Sequence, residues 1–171
     1  MGGGAKQFTA LYLLCSLSPQ LPRFFMIRPF EFSDLDRVLQ IERRSFPKSP
    51  YDWRTFINLH YLHPETFLVY ADMTRGPEEI LGYIIFSPDG HLISLAVHPG
   101  HRRKGIARKL IEEAMGFPDI KKIRAEVRRS NHGAQAFYLS LEFQIVGTLP
   151  KYYGNEDALV VERSSVRSSE F

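Results

Sequence analysis

The sequence predicts a mixed α/β (α+β) domain, with one central sheet of about seven strands flanked by about four helices. Two observations carry this. Apolar, β-branched runs alternate with amphipathic stretches of helical period from residue 27 to residue 161, with no repeat and no internal linker. In the middle, the apolar run Leu92 to Val97 feeds a tight basic turn that opens a helical pattern, Lys104 to Met115. A chain of 171 residues with 44% hydrophobic and 24% charged side chains is long enough for one packed core.

Ile27 to Phe30 is a short strand. Ser33 suits the N-cap of a helix from Asp34 to Arg44, whose apolar stripe is Leu35, Val38, Leu39 and Ile41. Two prolines make Phe46 to Tyr51 a loop, and Asp52 caps a second helix that runs to about Leu62 before Pro64 closes it. Thr66 to Ala71 is β-branched and aromatic, hence a strand. Thr74 to Glu79 is a turn, Ile80 to Phe86 a strand, and Asp89-Gly90 a hairpin turn into the strand His91 to Val97. After the third helix, Lys121 to Val127 is a strand and Asn131 caps a helix from Ala134 to Leu139. Phe143 to Val146 and Ala158 to Val161 complete the strands, and the tail from Arg163 is polar.

The net charge of +3 permits an anionic ligand but supplies no basic face of the kind nucleic acid requires, so no direct nucleic-acid partner is expected. One cysteine, Cys15, allows neither an intrachain disulfide nor a thiolate metal site, which suits a reducing, cytoplasmic setting. Phe8 to Leu17 is apolar but far short of the roughly 20 residues that span a bilayer, and no small-x-small cleavage site follows it. The domain is therefore read as residues 26–163, preceded by an extension, 1–25, and followed by a polar tail, 164–171.

A strand, a small-residue turn and a helix N-terminus form an anion cradle, because the first helical N–H groups lack intrahelical partners and the helix dipole adds positive charge. Gly100 to Gly105 has the glycine spacing of a P-loop, but Ile106-Ala107 stand where Lys and a hydroxyl are required, so nucleotide hydrolysis is not expected. What remains is Arg-x-x-Gly-x-Ala at 102–107. This pattern resembles the pyrophosphate-binding motif of the GNAT family of N-acetyltransferases. A second block, Glu126-Val127-Arg128-Arg129-Ser130-Asn131 with Ala136-Phe137-Tyr138 and Leu141-Glu142-Phe143, resembles the amino-terminal protein acetyltransferases, of ribosomal-protein-alanine (RimI) type and archaeal Ard type. So do Ile41 to Pro47 and the stretch Lys151-Tyr152-Tyr153-Gly154-Asn155-Glu156-Asp157-Ala158-Leu159. Glu142 departs from the pattern, standing where glycine is usual.

The resemblance implies a mostly antiparallel sheet splayed between two central strands, and acetyl-coenzyme A as cofactor. Leu95, Ala96 and Val97 would offer backbone groups to pantetheine and thioester. Arg102, Arg103, Lys104, Gly105, Ile106, Ala107 and Arg108 would wrap the pyrophosphate, and Asn131 would bond the pantetheine arm while capping its helix. Acetyl transfer also needs the ammonium deprotonated and the leaving thiolate protonated. Glu126 is the candidate base, although its strand face, with Lys122, Arg124 and Arg128, also reads as a surface charge ladder. Tyr138, twelve residues on, is the candidate acid, or else a packed helix tyrosine. His91 is a second candidate base, matching an Ard-type histidine, or a plain surface residue.

A chain-terminal α-amine, with a pKa near about 8, makes a modest base sufficient where lysine at about 10.4 does not. Phe46, Pro47 and Tyr51, with Tyr152 and Tyr153, suit the walls of a groove for the first residues of a peptide. Protein or peptide N-termini, ribosomal proteins among them, are thus the expected substrates. A small-molecule amine acetyltransferase and a non-catalytic acyl-coenzyme A-binding partner remain alternatives. No membrane partner is expected, and the oligomeric state is monomer or homodimer. His98 and His101 have no carboxylate or third ligand nearby in sequence, so no metal is expected.

Overall fold

The computed structural model describes residues 25–74 and 76–164. The apolar stretch Phe8 to Leu17, Cys15 and the tail beyond 164 lie outside the described residues.

Seven strands are described: β1 Phe25–Pro29, β2 Phe67–Asp72, β3 Glu79–Phe86, β4 Leu92–Val97, β5 Lys122–Arg128, β6 Gln144–Leu149 and β7 Ala158–Ser164. The four α-helices are α1 Leu35–Ser45, α2 Trp53–Leu62, α3 Ile106–Met115 and α4 His132–Ser140. One antiparallel sheet has the order β1-β2-β3-β4, the other β5-β7-β6. They meet at a single parallel bridge, His91 to Arg124, so the splay expected between two central strands lies between β4 and β5.

Side-chain alternation builds a core on both faces. On β2, Leu68 and Tyr70 point to one face, against α3, while Phe67, Val69 and Ala71 point to the other, against α1 and α2. β3 divides in the same way, with Ile84 and Phe86 on the first face and Tyr83 and Ile85 on the second. A strand buried on both faces reads as an unbroken apolar run, as Ile80 to Phe86 does. Leu110, Ile111 and Ala114 of α3 fill the first core, and Val38 and Ile41 of α1 the second.

Three helix starts differ from the sequence reading, α4 beginning at His132 rather than Ala134. Ser33 is not a cap: a 3-10 turn occupies Phe32–Asp34, and α1 follows at Leu35. Asp34 instead accepts the Glu31 N–H at 2.9 Å and both ends of the Arg28 guanidinium at 2.8 and 2.9 Å. A buried carboxylate with a bidentate arginine and a backbone donor is bound more tightly than any solvent-facing serine cap. The third helix starts at Ile106 rather than Lys104, because Arg103 and Gly105 have φ of 61° and 80°, in the left-handed region.

Candidate active site

The cradle forms where β4 turns into α3. The first helical hydrogen bond runs from Lys109 N–H to Gly105 O at 3.0 Å, so the N–H groups of Ile106, Ala107 and Arg108 precede the intrahelical ladder. A Cβ on Gly105 would meet nothing within 4 Å. Glycine serves there because the chain must turn left-handed before the helix. Arg103 and Lys104 extend into solvent at the same turn. Two other basic side chains expected at the cofactor are engaged by protein. The Arg102 guanidinium donates to Val97 O at 3.3 Å and to Ser45 Oγ at 3.2 Å. Arg108 donates to Ser140 O at 3.1 Å, fastening α3 to the end of α4. Three free backbone N–H groups and two solvent-facing basic side chains in one turn suit a diphosphate.

Beyond the turn runs an open backbone edge. β4 is hydrogen-bonded on its β3 side, pairing Val97 with Gly82, Ala96 with Tyr83 and Leu95 with Ile84. Alternate residues of β4 therefore aim N–H and C=O into the gap that faces β5. The gap closes at one end through Gly90. Its carbonyl accepts the Arg124 N–H at 2.9 Å, its φ is 87°, and a Cβ there would lie 1.9 Å from Lys122 O. Only glycine permits so close an approach of the two strands, and the sequence shows it merely as a hairpin turn.

At this closed end the two candidate bases meet. His91 Nε2 lies 2.6 Å from Glu126 Oε2. The histidine side chain is 43% exposed and the glutamate side chain 8%, so the pair has a wet end and a dry end. Arg124 Nε lies 3.2 Å from Glu126 Oε1 as an ion pair, without hydrogen-bond alignment. Tyr153 donates its hydroxyl to the backbone O of Glu126 at 3.0 Å, and its ring lies 4.0 Å from the Arg128 guanidinium. Tyr138 projects from α4 into the core beside Phe143, with its phenol near enough to Tyr153 and Glu126 to feel their charge. Burial first, then those neighbours, push the phenol well above the usual tyrosine range, so it keeps its proton at neutral pH.

Asn131 caps α4, its Oδ1 accepting Ala134 N–H at 3.0 Å, which leaves its amide N–H groups for another acceptor. The two expected groove walls lie near each other, close enough for Tyr152 to act on the Tyr51 phenol. Phe46, Tyr51 and Tyr152 are exposed. The Tyr51 phenol is pushed upward by burial, then by Glu42 and Tyr152. Tyr152 and Tyr153 pack edge to face at 5.0 Å, Tyr153 as the anchor and Tyr152 as the presented ring. The β6–β7 loop is held by Lys151 N–H to Asp157 Oδ1 at 2.9 Å and by Ser130 N–H to Glu156 Oε1 at 2.6 Å. Among the described residues, no three His, Cys, Asp or Glu side chains converge as a metal site. No helix among them is long and apolar enough to cross a membrane. The sequence reading missed Glu42, a carboxylate buried behind the Tyr51 wall. Its one signal was a charge on the inward stripe of α1.

Residues 35–143 match the family model described as Acetyltransferase (GNAT) family. An uncharacterized N-acetyltransferase of Methanocaldococcus jannaschii is 35% identical over 144 residues, covering 80% of this chain and 89% of that protein. The N-alpha-acetyltransferase of Saccharolobus solfataricus is 32% identical over 161 residues, covering 82% and 93%. Among solved structures, Ard1 from Thermoplasma volcanium superposes with a TM-score of 0.72 at 27% identity, covering 84% of this chain and 99% of that one.

Proposed function

We propose, given that the chain belongs to the acetyltransferase (GNAT) family, that it transfers acetyl to the N-terminal α-amine of proteins, ribosomal proteins among them. The observation that carries this reading is the His91–Glu126 pair, at the closed end of the open β4 edge and tied to the tyrosine loop through Tyr153. The likeness to relatives named N-alpha-acetyltransferases supports the choice of amine. Residues 26–163 form the catalytic domain, with 1–25 an extension and 164–171 a tail.

Acetyl-coenzyme A supplies an acetyl group activated as a thioester. The N–H groups of Ile106, Ala107 and Arg108, with Arg103 and Lys104, would hold its diphosphate. The free β4 edge at Leu95, Ala96 and Val97 would align the pantetheine and polarise the thioester carbonyl, and the Asn131 amide would bond the arm. Glu126 Oε2 and His91 Nε2 share one hydrogen bond, so a proton taken at the exposed His91 ring is stabilised by the buried carboxylate. About a tenth of α-amines are already neutral at pH 7, so this modest base suffices. Tyr138 Oη holds the proton that a leaving thiolate requires. Phe46, Pro47 and Tyr51 on one side and Tyr152 on the other bracket the first peptide residues.

Thiol release from acetyl-coenzyme A, measured with short peptides of varied first residue, tests the reading. Acetylation of the peptide α-amine is expected. Turnover with small amines alone, or with no acceptor at all, overturns it.

A further inference from the structure

We propose that Glu42 is a positioning residue, a buried carboxylate that ties the loop at residues 46–51 to strand β4. The proposal rests on the reading of that loop as one wall of the peptide groove.

Glu42 lies on the inward stripe of α1 with Val38 and Ile41 and is 2% exposed. Its partners are neutral donors. Oε1 accepts the Tyr51 N–H at 2.8 Å. Oε2 accepts the Tyr83 hydroxyl, which lies 3.0 Å from Ser94 Oγ. The Glu42 backbone O accepts the Phe46 N–H at 2.8 Å. One residue thus holds both ends of the loop, Phe46 by its main chain and Tyr51 by its side chain. Through Tyr83 of β3 it reaches Ser94 of β4, three residues after His91 and next to the open edge at Leu95 to Val97. Desolvation raises the Glu42 carboxyl above its usual range. A leucine would fill the same place without that penalty, so packing does not explain the carboxylate. What it holds does: the wall that meets the peptide is set by the strand that meets the thioester.

The test uses the full chain with Glu42→Ala, Glu42→Gln and Tyr83→Phe, and measures KM for peptide and for acetyl-coenzyme A separately. Hydrogen exchange at the Tyr51 amide is followed in parallel. Glutamine keeps an oxygen for the Tyr51 N–H. Glu42→Ala is expected to raise peptide KM about tenfold and Tyr83→Phe about threefold. KM for acetyl-coenzyme A stays within about twofold, and Glu42→Gln restores peptide KM to within about threefold of wild type. Exchange at Tyr51 accelerates at least about tenfold in Glu42→Ala and is restored in Glu42→Gln. Equal rises in both KM values, or an unmoved peptide KM, overturn the proposal. If Glu42→Ala does not fold, a wild-type peptide KM in Tyr83→Phe overturns it. If the wild-type protein acetylates no peptide, the functional reading falls and Tyr51 exchange alone decides the tether.

Discussion

His91 Nε2 and Glu126 Oε2 lie 2.6 Å apart, although 35 residues separate them in the chain. His91 precedes β4 and Glu126 lies on β5, and the single bridge between those strands brings them together. Two residues that read as rival bases share one hydrogen bond, and under the proposed function they act as one acid–base unit.

A unit fails as a unit. Glu126→Gln and His91→Ala are each expected to lower kcat/KM by about 10²-fold, and the double variant to be no worse than about 10²-fold. Cofactor affinity stays near wild type, because the cradle lies at the other end of the gap. Steady-state kinetics of the three variants decide this. Independent losses, multiplying to about 10⁴-fold, refute a shared role.

Gly90 sets the distance between the paired strands. Gly90→Ala places a Cβ 1.9 Å from Lys122 O and forces a side chain onto φ 87°. Loss of more than about 2 kcal/mol of stability is expected, together with reduced turnover in the protein that still folds. Urea denaturation beside an activity assay measures both. An unchanged midpoint shows that the strands separate there freely.

Glu142 has φ 65°, where glycine is unstrained. Its side chain is 82% exposed and pairs with Arg163 at only 3.5 Å, a contact too exposed to offset the backbone strain. Glu142→Gly is expected to stabilise the protein by about 1 kcal/mol. Chemical denaturation reads the shift, and a destabilised variant contradicts the assigned strain.

Burial, aided by the Glu42 charge, raises the Tyr83 phenol well above its ordinary range, and burial raises that of Tyr138. A folded-state pKa above the unfolded one holds stability in full below pH ~10 and loses it as pH rises towards the folded value. Tm is therefore expected to fall steeply above pH ~10, with each phenol contributing up to about 1.4 kcal/mol per pH unit. Tyr83→Phe flattens that fall. Scanning calorimetry between pH 7 and about 11.5 tests it, and identical slopes in the two proteins contradict the assignment.

The elements whose chemistry is local were legible in the sequence. Asn131 and Asp52 cap their helices as read, accepting Ala134 N–H and Thr55 N–H at 3.0 and 2.8 Å. The start of α1 was not legible, because Asp34 is claimed by Arg28 from β1, and that partner is set by sheet packing. The family resemblance, rather than any local rule, put Arg102 at the pyrophosphate. Its guanidinium goes to Ser45 because the end of α1 packs beside the turn.

By itself the sequence determined the strand–turn–helix at residues 92–115 and singled out His91, Glu126 and Tyr138 as candidates. Spacing along a chain fixes periodicity, caps and turn glycines, which act within a few residues. Only the tertiary structure decided that His91 and Glu126 are bonded, that Tyr153 is tied to the Glu126 backbone while Tyr152 is exposed, and that Glu42 accepts the Tyr51 N–H. Those relations depend on how β4 and β5 splay and where Gly90 pins them. A hydrogen bond across such a gap forms or fails over less than an ångström, a distance set by the packing of the whole domain rather than by any local stretch.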